Sequence, residues 1–440
     1  MDKKLKTITI SVITVVALLI VLALIIKPET NSENGFIEDS NSEEGQAAAA
    51  PLTSVSSKPT YKVFFENTGS MNGYVRENSR LKDVLHDLLA NIENPNLTDN
   101  ELNLNFVNNV IIPRDSDISN FRNELNPSIF RELCQQFPGC NLGDTYFPDI
   151  FETTLNDISK NDVGIWISDC IPSTGDDVST REELNQQSIE LRRIFSKKLM
   201  EYKFNTLVLH LNSNYNGQYW DKNEDITYIE NIDRPYYIWI FGKEDYIKEL
   251  KSVIEQTRLL QQDLLNYHYF FFYDSEKLDY RISPHPRTGN FTLEPQSPQN
   301  TIKNAQAETL GQLSGEFQFP VYVDFSEFPM SESYYTNPAN YDISPHYSIE
   351  IETTDSEEHT HIIKLTTENL QSETLELRLK NQLSEWIYDY HLYADTDILS
   401  DEQIDKTFGL KYLFKGTHDA YLAQQEYREH FFNLTININK

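Results

Sequence analysis

Positive charge is what this sequence has least of. Its 37 lysines and arginines stand against 68 aspartates and glutamates, a formal net charge of -31 over 440 residues. Residues 1–27 carry a net +3, so -34 falls on the remainder. Such a surface repels phosphate backbones and anionic headgroups, which excludes nucleic acid as a partner. Cysteine is nearly as scarce. Three cysteines cannot build a disulfide framework, although Cys134 and Cys140, in LCQQFPGC, bracket a Pro-Gly turn and are placed to close a small loop in an oxidising compartment. Cys170 is left over and reads as a buried, inert thiol. A Gly-x-Ser-x-Gly elbow, a Walker loop, a His-Glu-x-x-His helix and a dinucleotide fingerprint are all missing, and no pair of catalytic carboxylates stands out. Nothing in the sequence marks an enzyme. His359 and His361, in HTH, alternate on one side of a strand but lack a third partner for zinc.

One long apolar run is present, TITISVITVVALLIVLALII from Thr7 to Ile26. About 20 such residues cross a bilayer as a helix. A cleaved signal peptide has a shorter apolar region and a small-x-small site after it, whereas Lys27-Pro28-Glu29-Thr30 follows here, so the run reads as an uncleaved signal-anchor. Lys3, Lys4 and Lys6 precede it and an acidic stretch follows, which leaves the amino terminus in the cytoplasm and the bulk of the chain periplasmic or extracellular. Residues 28–59, rich in Ser, Asn, Glu, Ala and Pro, read as a disordered stalk.

From residue 60 to 274 strand and helix patterns alternate. YKVFFEN, LNLNFVNNVII, VGIWISD, NTLVLHL and PYYIWIF are strand-like, while Leu81 to Ile92, Glu182 to Tyr202 and Lys243 to Thr257 have helical apolar spacing, with Ile189 among the inward positions of the second. That alternation predicts parallel strands with crossovers, an α/β, doubly wound, mostly parallel sheet of Rossmann-like type. SNYNGQYWD, from Ser213 to Asp221, reads as a loop near the ligand-binding edge, and Asp176 and Asp177 as caps for the helix that follows them. Residues 275–315, with Pro284, Pro286, Pro295 and Pro298, read as a linker. Residues 316–440 carry seven period-2 runs, including EWIYDYHLY and GLKYLF, which predict an all-β sandwich-like domain in which Trp386, Tyr388 and Tyr390 serve as core and rim.

The chain is organised around Tyr61 to Val75, YKVFFENTGSMNGYV, where a strand empties into a turn of hydroxyl and glycine residues, the place where an α/β sheet carries its site. Glu66, Thr68 and Ser70 put one carboxylate and two hydroxyls at alternate positions, oxygens that suit a hard cation. Glu66 to Gly73 resembles the first metal motif of von Willebrand factor A (VWA) domains, Asp-x-Ser-x-Ser in its form ending Gly-Ser-Met-x-Gly, with glutamate at the first acidic position. Gly143-Asp144-Thr145 resembles the loop that supplies that family's metal-binding threonine. VGIWISD, ending at Asp169, resembles the strand that ends in its last aspartate, with Cys170 where the family usually has glycine.

The resemblance implies a site for Mg2+ or Mn2+, with Ca2+ as the alternative. Thr68 and Ser70 would be direct ligands, Thr145 the third, and Glu66 and Asp169 outer carboxylates. One coordination position would stay open for an acidic side chain of a protein partner. The expected protein is therefore a membrane-anchored, outward-facing binding protein of the cell envelope. The alternatives are a metal-assisted hydrolase and a structural envelope protein with a vestigial metal site.

Overall fold

The computed structural model describes residues 58–76, 78–94, 100–175, 179–220, 226–272, 278–295, 300–394, 403–425 and 429–440. The apolar run, the basic residues before it, the stalk up to residue 57, and Asp176 and Asp177 lie outside the described residues. Among the described residues no helix is long and apolar enough to cross a membrane. Ser57–Lys440 forms one compact unit that holds all the described regular structure and both apolar cores.

In chain order the first part runs β1 (Thr60–Glu66), α1 (Arg80–Glu93), β2 (Glu101–Val107), β3 (Ile111–Arg114), α2 (Ile118–Glu124), α3 (Pro127–Cys134), α4 (Phe147–Asp157), β4 (Asp162–Ser168), α5 (Thr180–Glu201), β5 (Asn205–Trp220), β6 (Ile226–Gly242), α6 (Glu244–Gln256), α7 (Arg258–Asp263) and β7 (Leu264–Phe270). These strands make one seven-stranded sheet in the order β3-β2-β1-β4-β6-β5-β7. β1 sits between β2 and β4, parallel to both, as its apolar run on two faces requires. Tyr61, Val63 and Phe65 face the helices α1 and α6, while Phe64 faces the other way with Trp166, towards Phe151 of α4 and Phe195 of α5. Serines set where two helices start: Ser79 accepts from the Lys82 N–H and Ser179 from the Glu182 N–H. Ser179 is thus the cap of α5.

The sheet is mixed rather than mostly parallel. β3 pairs antiparallel with β2, and β4, β6, β5 and β7 pair antiparallel in succession. The cause is the long β5–β6 hairpin, which places β6 and not β5 beside β4. SNYNGQYW is the outer half of β5 and not a loop; its residues alternate buried and half-buried as a strand does. Asp221 lies outside the described residues. Ile189 is 66% exposed on α5, a correction to its expected place inside.

The second part runs β8 (Tyr280–Ile282), β9 (Asn290–Leu293), β10 (Thr301–Gln306), β11 (Phe317–Val323), α8 (Glu332–Tyr335), β12 (Tyr341–Ile343), β13 (Ser348–Thr353), β14 (His361–Thr367), β15 (Glu373–Lys380), α9 (Trp386–Asp389), β16 (His391–Leu392), β17 (Thr407–Phe408), α10 (Leu410–Gln424) and β18 (His430–Ile438). Two sheets, β13-β14-β11-β8 and β12-β15-β18-β10-β9, share one core through alternate residues such as Val321, Ile363, Leu377 and Ile436. Residues 275–315 are therefore no linker, since they supply β8, β9 and β10.

Residues 381–425 are not part of the sandwich either. EWIYDYHLY and GLKYLF form α9 and α10, which cover the α/β sheet on the face of α5. Trp386 stacks on His210 of β5 at 5.1 Å, and the Tyr421 hydroxyl bonds Thr206 and the Phe204 carbonyl, each at 2.9 Å. Tyr388 and Tyr390 go with α9 to the same face. His359 and His361 are buried beside aromatic rings; among the described residues no group of three or more His, Cys, Asp or Glu side chains could hold a metal.

Candidate functional site

β1 ends at Glu66, fully buried, and the chain turns at Asn67 and Thr68 into a 3-10 segment, Gly69–Tyr74. Several contacts fix that turn. The Asn67 N–H donates to the Val107 carbonyl at 3.1 Å and the Gly69 N–H to Leu142 at 2.8 Å. Asn108 donates to the Asn67 side chain at 2.9 Å and to the Cys140 sulfur at 3.1 Å. Cys140 is itself bonded to Cys134, the expected small loop. Tyr74 donates to the Pro235 carbonyl at 2.6 Å. A side chain at Gly73 would put its Cβ 2.2 Å from the Tyr215 ring, so only glycine fits there.

The five residues singled out from three separate segments meet here. Thr68 Oγ1 donates to Glu66 Oε1 at 2.5 Å, and Thr145 Oγ1 donates to the same oxygen at 3.2 Å. Thr68 and Ser70 hydroxyls lie 3.3 Å apart, and Ser70 donates to Asp169 Oδ1 at 3.2 Å. Thr145 is held by a reciprocal pair with Ser173: its N–H donates to Ser173 Oγ, and the Ser173 N–H to its carbonyl, both at 2.9 Å. Asp169 follows the end of β4, and its Oδ1 also accepts from the Ile171 N–H at 3.3 Å. Glu66 and Asp169 thus leave the carboxyl ends of two neighbouring parallel strands.

The electrostatics follow from burial. Loss of water, and then the nearby Asp169, push the Glu66 carboxyl up to about 8, against the pull of the Ser168, Thr68 and Thr145 hydroxyls. Burial likewise raises Asp169 to about 6, offset by the Arg234 guanidinium and by hydrogen bonds from Ser70 and Ile171. Glu66 Oε2 is buried and makes no hydrogen bond. The cluster is short of positive charge. Two carboxyl groups and three hydroxyls, with Glu66 Oε2 without a partner, are hard oxygens of the kind a divalent cation takes.

Sequence reasoning missed Arg234. It lies on β6, 1% exposed, its guanidinium 5.4 Å from the Tyr215 ring and 5.1 Å from the Tyr219 ring. Its Nε and Nη1 make no hydrogen bond. The one available signal was a charged residue opening the apolar run RPYYIWIF. Cys170 is buried beside Asp169, its thiol raised by loss of water, and it holds the left-handed conformation, φ 57°, that glycine adopts freely.

The SNYNGQYW stretch does reach this region, as a strand. Tyr215 donates to the Ser70 carbonyl at 3.4 Å, and Ser213 and Asn214 accept from the first N–H groups of α1. Further along the hairpin Trp220, Ile226 and Tyr228 are exposed. No family model, no curated protein and no solved structure matches this chain.

Proposed function

We propose that this is a membrane-anchored, outward-facing binding protein whose α/β unit is a VWA-like domain that recognises a protein ligand through a divalent cation. The observation that carries the reading is the convergence of Glu66, Thr68, Ser70, Thr145 and Asp169, from three distant segments, on one hydrogen-bonded cluster. Mg2+ or Mn2+, with Ca2+ as the alternative, would be held by the Thr68, Ser70 and Thr145 oxygens between the two carboxylates. Such an ion supplies positive charge and a place for an acidic side chain of the partner. An acidic protein can in that way bind an acidic group at one point. The exposed Trp220, Ile226 and Tyr228 of the neighbouring hairpin offer apolar area to the same partner.

A second reading, a structural envelope protein with a vestigial site, is favoured by two features. The Thr68 and Thr145 hydroxyls are both turned onto Glu66, and Arg234 already brings a positive charge to Asp169. Calorimetric titration of Mg2+, Mn2+ and Ca2+ into Ser57–Lys440, beside the Ser70→Ala, Asp169→Ala double variant, separates the two. Saturable binding that the variant loses is expected. Absence of binding by the unaltered protein would establish the vestigial reading.

A further inference from the structure

A second site lies far from Glu66 and owes nothing to the cation. A cavity of about 610 Å³ opens between β5, β7, α6 and the turn Asp324–Pro329 of the second part. It sits at the amino end of β5, around Asn205, Leu207 and Leu209. β5 runs in the same direction as β1 and β4, whose carboxyl ends carry Glu66 and Asp169, so the cavity is at the opposite edge of the sheet.

Its floor is apolar and aromatic. Leu207 and Leu209 project from β5, Tyr267 and Tyr269 from β7 and Phe271 from the position just after it, at alternate positions that put them on one face. α6 passes along one side with Ile247 and Ile254, and Phe328 closes the other. On the floor the Asn205 amide donates to the Tyr269 hydroxyl at 3.1 Å. Charges occur at the rim alone. Lys248 of α6 is paired with Glu244 and, across the mouth, with Glu327, each at 3.2 Å. Glu244, Glu255, Asp324 and Glu327 outnumber Lys248 and Lys251 around the opening.

We propose that this cavity binds a molecule with an apolar chain or ring system and a small polar end that is not anionic. Volume and lining set the class: ligand sites span about 300–1,000 Å³ and are mostly apolar with a few polar groups. The cavity is about four times the roughly 150 Å³ that encloses benzene in an apolar core, enough for a chain of many carbons. The rim sets the charge. Its four carboxylates against two lysines, Lys248 among them already paired, oppose an anionic head, while the uncharged floor takes the apolar part. Access runs past the Lys248–Glu327 pair, which is exposed on both sides and so holds the mouth only weakly.

Decanol is the probe, titrated into Ser57–Lys440 by calorimetry, with decanoate in parallel. Two variants fill the space: Leu264→Trp from the half-buried wall, and Ser326→Trp from the exposed turn, where folding is not at risk. Saturable decanol binding is expected, unchanged by a chelator, weaker for decanoate, and lost in both variants. The proposal is overturned if decanol shows no saturable heat, if decanoate binds more tightly, or if Ser326→Trp binds decanol as the unaltered protein does. Binding of decanol is independent of metal titration at Glu66, so the two results can fail separately.

Discussion

At the scale of single residues, the candidate site stores an electrostatic cost. An acid whose value is raised on folding keeps its proton when the unfolded chain has released it. Glu66, ordinarily at 4.5 and raised to about 8, therefore makes the folded state less stable as pH rises through that window. Asp169 acts in the same direction between 3.8 and about 6, whereas His210, His268, His391 and His418, whose rings burial holds neutral, act in the opposite direction up to the ordinary histidine value of 6.5, so Glu66 is isolated only by comparison with a variant. Thermal melts of metal-free Ser57–Lys440 from pH 6 to 8 are therefore read against Glu66→Gln, which is neutral throughout. Relative to that variant the midpoint of the parent should fall across the interval, leaving Glu66→Gln more stable than the parent at pH 8 by on the order of 1 kcal/mol. Equal slopes would mean that Glu66 is ionised across the whole range. Gly73 makes a steric prediction beside it. Gly73→Ala drives a methyl into a Tyr215 ring that its hydroxyl contacts hold in place, and should cost about 1–3 kcal/mol in denaturant unfolding, with weaker cation binding because the turn carrying Ser70 must shift.

At the scale of elements, what could be read from the sequence was decided by whether a segment's pattern had one interpretation. β1 and β4 were legible as short apolar runs bounded by turns, and α5 by its helical spacing, although Ile189 falls outside the buried face. The convergence of the five oxygen-bearing residues was legible because Glu66, Thr68, Ser70 and Asp169 sit at strand ends, where a short motif dictates position, and Thr145 in a short loop just before a helix. The outer half of β5 was not: Asn212, Asn214, Asn216 and Gln218 look like loop composition, and only pairing with β6 makes them a strand. α10 misled in the opposite way. Leu410, Tyr412 and Phe414 alternate as a strand would, yet Leu413, Phe414, Thr417, Ala420 and Tyr421 follow the helical spacing that the packed face uses. Arg234 showed only as a charge opening an apolar run, because its partners, Tyr215 and Tyr219, lie on a neighbouring strand. The docking of α10 depends on a glycine. At Gly416 a Cβ would meet the Ser188 carbonyl oxygen of α5 at 2.5 Å and the Leu191 Cβ at 2.9 Å. Backbone cannot yield as a side-chain tip can, so Gly416→Ala should lower stability by about 1–3 kcal/mol despite the better helix propensity of alanine. Unchanged or increased stability on urea unfolding would show that the two helices can separate without loss.

At the scale of the whole molecule, the chain does not divide at a single point between an α/β half and a β half. After β15 it leaves the second part, lays α9 and α10 on the far face of the seven-stranded sheet, and returns as β18 between β15 and β10. The links are specific: Trp386 donates to the Tyr267 carbonyl at 3.3 Å, Tyr237 and Thr407 hydroxyls meet at 3.0 Å, and Phe271 of the segment after β7 stacks on Phe431 of β18 at 5.0 Å. One continuous apolar cluster runs from Val63 and Phe65 beneath the candidate site to Leu377 and Ile436 between the two smaller sheets. Separate domains joined by a linker would melt independently, whereas parts that share a core and exchange segments must unfold together. Calorimetry of Ser57–Lys440 should accordingly give one transition, with equal calorimetric and van't Hoff enthalpies. A chain ending at Lys380 should show no cooperative melt at all, because it bares Trp239 and Phe270 where α10 lay and removes a central strand from a five-stranded sheet. Two resolved transitions, or a folded 57–380 fragment, would instead mean that the returning segment is dispensable to the α/β sheet, and that the candidate site around Glu66 can be studied without the rest of the molecule.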